Sequence, residues 1–187
     1  MSDADYLRNQ FLIAMPGMAD GYFNHTVTLL CEHTPEGAMG LVLNRPTDLS
    51  LSQMLAHMDL EKGAGQEQDQ QVFWGGPVQP ERGFVLHSEK GDWESTLPIS
   101  DDLFLTTSRD ILEAVAQHQG PRDFLVTLGY AGWGAGQLEH EILQNSWLST
   151  QSSNQIIFAT DPAQRWQASI GLLGLNPADI SGEAGHA

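Results

Sequence analysis

The sequence predicts a single compact α+β (mixed α/β) domain, built on a mixed and strongly curvable β-sheet flanked by helices. Three observations carry that prediction. Short, partly β-branched apolar runs separated by turn residues fill the first half, as in strands joined by hairpins. The second half alternates helix-like and strand-like segments, which calls for a sheet covered by helices. The chain has 187 residues, 41% of them hydrophobic, enough for one sizeable core without disulfide staples.

The elements follow in order. Phe11–Met15 is a strand stopped at Pro16-Gly17, and Val27–Cys31 and Leu41–Leu43 form a hairpin across Pro35-Glu36-Gly37. Pro46 stops the third strand. Ser50 caps a helix in which Leu51, Met54, Leu55 and Met58 form one apolar stripe, so those methionines fill core. Glu61–Gln71 is polar and reads as an exposed loop. Val72–Trp74 and Gly83–His87 are strands, and acid-rich Glu89–Asp102 reads as a solvated loop. Thr107-Ser108-Arg109-Asp110 has capping-box spacing before a helix that buries Ile111, Leu112, Val115 and Ala116 and ends at Gly120-Pro121. Phe124–Tyr130 is a strand, followed by a glycine-rich turn and a helix over Gln137–Asn145 with Leu138 and Ile142 inward. Ile156–Ala159 is a strand. Asp161-Pro162 then opens a helix with Ala163, Trp166 and Ile170 as its stripe. One domain spans 1–180, and 181–187 is a frayed tail.

Composition excludes several function classes. Asp and Glu number 24 against 8 Lys and Arg, a formal net charge of −16, which repels phosphate backbones and anionic lipid. No Lys/Arg run offsets it, and no helix carries the basic face of a recognition element. A single cysteine, Cys31, rules out an internal disulfide framework and multi-cysteine zinc patterns, and it suits a reducing compartment. Met1–Gln10 has neither a basic n-region nor a long apolar core. The expectation is a cytoplasmic protein without a signal peptide or membrane span.

Two segments could carry chemistry. Cys31-Glu32-His33 ends a strand, and regular alternation would put His33 beside the sulfur with Glu32 pointing away. A protonated imidazole there would favour the nucleophilic thiolate. The competing reading makes Cys31 a buried small hydrophobe. The second segment runs from Leu128 to Glu139 through Gly132, Gly134 and Gly136. Its amides could cradle an anion at a helix start, or its glycines could serve a tight turn. The dinucleotide fingerprint fails there, because Glu139 or Gln137 occupies the third glycine position. No phosphate loop, nucleophile elbow or His pair at i, i+4 exists. Cys31-Glu32-His33 and Glu139-His140-Glu141 are compact triplets without identifiable partners, so no metal is expected.

The ordered motifs Cys31-Glu32-His33, Gly37-Ala38-Met39-Gly40-Leu41-Val42-Leu43-Asn44-Arg45-Pro46, Gly75-Gly76-Pro77-Val78, Gly83–His87 and Gly129–Glu139 closely resemble the YqgE/AlgH family of bacterial proteins, with Asn145-Ser146-Trp147-Leu148 as a following block. The resemblance covers roughly 11–148. It implies a single-domain mixed α/β protein and carries a label of transcriptional regulator, drawn from one member's association with alginate production. It implies no established reaction, cofactor or substrate. His25-Thr26 departs from the family pattern, which has a basic residue and a serine there.

The expected function is therefore a non-enzymatic regulatory or ligand-binding protein that acts on transcription indirectly, through an unknown protein or small-molecule partner, with no cofactor and no direct nucleic-acid contact. Its expected binding residues are Cys31, Glu32, His33, Asn44, Arg45, Gly132, Gly134 and Gly136. The rival is a thiol-dependent enzyme or redox sensor with Cys31 as nucleophile and His33 tuning it.

Overall fold

The computed structural model describes residues 7–16, 23–60 and 69–180. The loop expected over Glu61–Gln71 lies mostly outside them, as do Gly17 and the tail from Ser181.

A ten-stranded sheet coils into a half-barrel. Its spine is the 11-residue β9 (Phe124–Gly134). The first part of β9 pairs antiparallel with β6 (Val78–His87) and parallel with β5 (Gln71–Trp74); its last residues pair with β3 (Gly37–Val42). The β5–β9 pair makes the sheet mixed. Midway, Gly129 has φ +78, and a Cβ on Gly75 would lie 2.3 Å from the Gly129 carbonyl oxygen. Only glycine fits either position, and the bend they permit lets one strand serve both halves of the sheet. Beyond β3 lie β2 (Val27–Thr34), β1 (Gln10–Ala14) and β10 (Trp147–Gln151); beyond β6 lie β8 (Leu103–Thr106) and β7 (Thr96–Ser100). A short β4 (Pro46–Ser50) pairs with β5.

Both faces of the sheet are covered in part. Phe11, Ile13, Leu29, Cys31 and Leu41 join an inner core closed by α4 (Asn154–Phe158) and α5 (Arg165–Gly171). On the outer side Val72, Val85 and Val126 pack under α1 (Leu51–His57) and α2 (Arg109–Ala116). Leu12, Leu30, Ala131 and Trp133 pack with Leu138 of α3 (Gln137–Leu143). β1 is therefore buried on both faces, which is why it reads as an unbroken apolar run.

Several expectations need correction. The strand expected over Ile156–Ala159 is instead the end of α4 and its C-cap: the Ser153 hydroxyl accepts from the Ile156 amide, and Ile156 and Ile157 are both buried. Periodicity cannot separate a short buried helix from a strand. The strand of that region is β10, which pairs with β1. The solvated loop over Glu89–Asp102 contains β7, an edge strand where Pro98 is tolerated. Pro46 does not stop the third strand: β3 ends at Val42, and the proline opens β4. No capping box forms at 107–110, since the N-cap Ser108 side chain accepts from no α2 amide and donates instead to the Asp110 carboxylate. The capping box lies at Ser50 and Gln53, which exchange hydrogen bonds of 3.1 and 2.9 Å. Finally, Ala163 is exposed, and the buried stripe is Arg165, Trp166, Ser169 and Ile170.

Candidate functional site: an inner cleft at the hairpin and glycine strand

The two segments singled out in the sequence meet in space. Gly37 pairs with Gly134, Ala38 with Trp133 and Met39 with Gly132. The approach demands glycine, because a Cβ on Gly37 would lie 2.3 Å from the Trp133 carbonyl oxygen. The glycine-rich segment is thus strand through Gly134, with a turn only at Ala135-Gly136. The Gly134 amide donates to Gln137 Oε1 at 3.0 Å. Gly136, at φ +75, is the residue before α3.

A bulge in β2 sets the chemistry of its side chains. Leu30 pairs with Gly40 and Glu32 with Met39, so Cys31 is the extra residue. Alternation resets there. Cys31 points into the inner core and is fully buried. Glu32 opens on the same side. His33, opposite Ala38, turns to the outer face, where Nε2 lies 3.4 Å from Glu139 of α3. The expected sharing of a face by Cys31 and His33 is therefore corrected. Burial pushes the thiol well above its ordinary value of 9.0, and the Glu32 carboxylate raises it further.

Asn44 and Arg45 brace the chain ahead of β2. Asn44 accepts from the Val27 amide at 3.0 Å and donates to the His25 carbonyl at 2.9 Å. Arg45 donates to the Asn24 carbonyl. His25 itself lies against Trp166, ring centroids 4.7 Å apart. Glu141 Oε1 accepts from both Trp133 (3.1 Å) and Trp147 (2.9 Å), and Oε2 accepts from Gln137. The Glu139-His140-Glu141 triplet thus splits: Glu139 serves His33, Glu141 serves two indoles, and His140 is exposed.

Where the inner core is left uncovered, a cleft of about 880 Å³ opens. Tyr130, Phe84, Met39 and Leu97 give it an apolar interior continuous with the core. Glu32, Glu36 and Glu94 stand at its exposed margin against a single cation, Arg82, whose guanidinium lies 5.4 Å from the Phe84 ring centroid. Gly132 faces the cleft: a Cβ there would make ordinary contact with Tyr130 (3.5 Å) and Val78 (3.9 Å). Of the residues singled out in the sequence, Glu32 and Gly132 line this cleft, Cys31 lies beneath it in the core, and His33, Asn44, Arg45, Gly134 and Gly136 do not line it. Arg82, Glu94, Phe84 and Tyr130 were missed. Arg82 and Phe84 come from β6, Glu94 from the segment before β7 and Tyr130 from β9, so only the coiling of the sheet gathers them; the cue was the aromatic Tyr130 next to Gly129.

The family description "AlgH-like" matches residues 11–178 of the chain. The sequence is 56% identical to a UPF0301 protein of Thioalkalivibrio sulfidiphilus over 187 residues, all of both chains. It is 55% identical to a UPF0301 protein of Ralstonia pickettii over 181 residues, 97% of this chain and 95% of that one. The fold superposes on the solution structure of the AlgH protein from Pseudomonas aeruginosa with a TM-score of 0.81 at 44% identity, covering 100% and 99% of the two chains. Protein DIP2367 from Corynebacterium diphtheriae shares the fold at a TM-score of 0.71 and 16% identity, over 91% and 88% of the chains. Among the described residues, no helix is long and apolar enough to cross a membrane.

Proposed function

The chain belongs to the AlgH-like family, and from that premise we propose that it is a non-enzymatic regulatory protein that binds a small amphipathic amine in the inner cleft. The observation that carries this reading is the pairing of an aromatic and aliphatic interior with an acidic margin, three carboxylates against one guanidinium. The volume lies within the range of small-molecule sites, about 300–1,000 Å³. An apolar body would enter beside Tyr130 and Phe84, and its ammonium group would meet Glu32, Glu36 and Glu94. Aromatic faces also attract cations. Any effect on transcription is indirect, passing through the ligand or a partner that reads the occupied cleft. Buried Cys31 serves in this reading as core, since its thiol is held protonated and the nearest strand imidazole faces away from it.

The test is a titration with phenethylamine, followed by amide and methyl NMR, with phenylacetate as the control of opposite charge. The reading expects saturable shifts at Met39, Tyr130 and Gly132 with the amine and none with the acid. Equal binding of both, or shifts confined to other residues, contradicts it.

A further inference from the structure

A second cavity, of about 280 Å³, lies on the inner side of the sheet at the start of β5 and β9, where α4 and α5 close the core. Phe73, Leu125, Ile157 and Phe158 line it, all of them members of the inner cluster or packed against it. The one charged group among its lining residues is the guanidinium of Arg165. Arg165 is only 5% exposed, an uncommon position for a charge. Its Nε donates to the Thr160 carbonyl at 3.0 Å, its Nη1 donates to the Leu43 carbonyl, and its central carbon lies 5.1 Å from the Phe73 ring centroid. These contacts fix the plane of the guanidinium, but both carbonyls are neutral and bring no opposite charge.

The geometry points to a second binding site, for a small carboxylate with a compact apolar body. Buried charges are ordinarily paired, and in a chain with 24 Asp and Glu this guanidinium is held by two neutral carbonyls instead. Asp161, itself exposed, is the carboxylate whose field reaches it. Burial lowers the guanidinium from its ordinary 12.5 to about 10 against the pull of Asp161, so it stays charged at neutral pH. A guanidinium has five N–H donors. Thr160 and Leu43 take two of them, which leaves donors in the same plane for an anion. A planar carboxylate matches that fork through charge-assisted hydrogen bonds. One positive charge suits a monoanion, whereas a phosphate dianion would keep an unmatched charge beside Phe73 and Ile157. A neutral amide of the same shape keeps the apolar contact and loses the charge pairing. The volume falls just under the ~300–1,000 Å³ of drug-sized sites, so the ligand is small. The site shares no lining residue with the inner cleft and stands whether or not the cleft binds amines.

Benzoate is the probe, beside neutral benzamide, read by NMR of the methyl groups and of the Arg165 guanidinium N–H signals. The expected result is saturable shifts of the Ile157 methyls and the Arg165 N–H groups with benzoate, and binding at least about tenfold weaker for benzamide, which lacks the charge-assisted pair. Gln71 lines the cavity from an exposed position two residues before Phe73 on β5, on the same face, so its substitution spares the core. Gln71→Lys should tighten benzoate a few-fold and Gln71→Glu should weaken it a few-fold. Benzamide binding as tightly as benzoate, equal benzoate affinity in the two Gln71 variants, or shifts that never saturate or that fall at Met39 and Gly132 instead of Ile157 would overturn the site.

Discussion

Cys31 and Glu32 are neighbours in sequence and yet point to the same side of the sheet, because the bulge in β2 leaves Cys31 without a partner on β3. Their shared face has a chemical consequence: the carboxylate and the apolar core both hold the thiol protonated. Folded protein is expected to resist iodoacetamide at pH 8, with labelling appearing only across the urea unfolding transition. Rapid labelling under native conditions would contradict this. Cys31→Ser should fold but lose about 1–3 kcal/mol, since its hydroxyl enters an apolar core.

Glu141 Oε1 accepts from the indole N–H groups of both Trp133 and Trp147, each nearly buried. Glu141→Ala strands both donors at once. At about 1–3 kcal/mol for each unsatisfied group, a loss of ~2–6 kcal/mol in urea denaturation is expected. Glu141→Gln keeps one oxygen acceptor and should lose less. Equal losses in the two variants would show that the indole bonds contribute little.

His87 governs the acid side of the stability profile. It is fully buried, with Nδ1 2.6 Å from the Glu89 carbonyl and Nε2 2.6 Å from the Thr106 hydroxyl. A carbonyl can only accept, so Nδ1 carries the proton and Thr106 donates to Nε2 in the neutral form. Burial lowers the imidazole below its ordinary value of 6.5, against the opposing pull of Glu89. The unfolded chain therefore binds a proton near pH 6.5 that the folded chain resists. The stabilisation is whole above that pH and is lost as pH falls through it toward the depressed folded value. The urea midpoint should drop between pH 7.5 and 5.5, and the His87 ring should titrate below 6.5 by NMR. A ring titrating at or above 6.5 would remove this contribution.

Arg82 is the cation at the margin of the inner cleft, its guanidinium 5.4 Å from the Phe84 ring centroid. Arg82→Gln removes the one cation from the acidic margin of the inner cleft. It should tighten phenethylamine a few-fold, by removing a like charge. An unchanged or weakened affinity for phenethylamine would contradict the assignment of the cleft to amines.

Much of the fold is legible in the sequence for identifiable reasons. β1 and β9 announce themselves as long apolar runs, and the Met54 stripe marks α1. What could not be read depends on pairing. Cys31 as a bulge is invisible until β3 sets the register, so the alternation rule predicted the wrong neighbour for the thiol. β7 is hidden by its acids, and β10 gains its identity from β1. The candidate site was legible only at Glu32 and Gly132, since Arg82 and Phe84 reach the cleft through the coiling of the sheet and Glu94 through the segment before β7.

Gly132→Leu tests the central claim most directly, because the new side chain would fill the inner cleft from a strand position with ordinary contacts to Tyr130 and Val78. Replacing a strand glycine also leaves stability unchanged or raises it by up to about 1 kcal/mol. Calorimetric titration of this variant with phenethylamine should show a protein as stable as the parent that no longer binds the amine. A folded variant that binds as tightly as the parent would mean that the cleft is not the site.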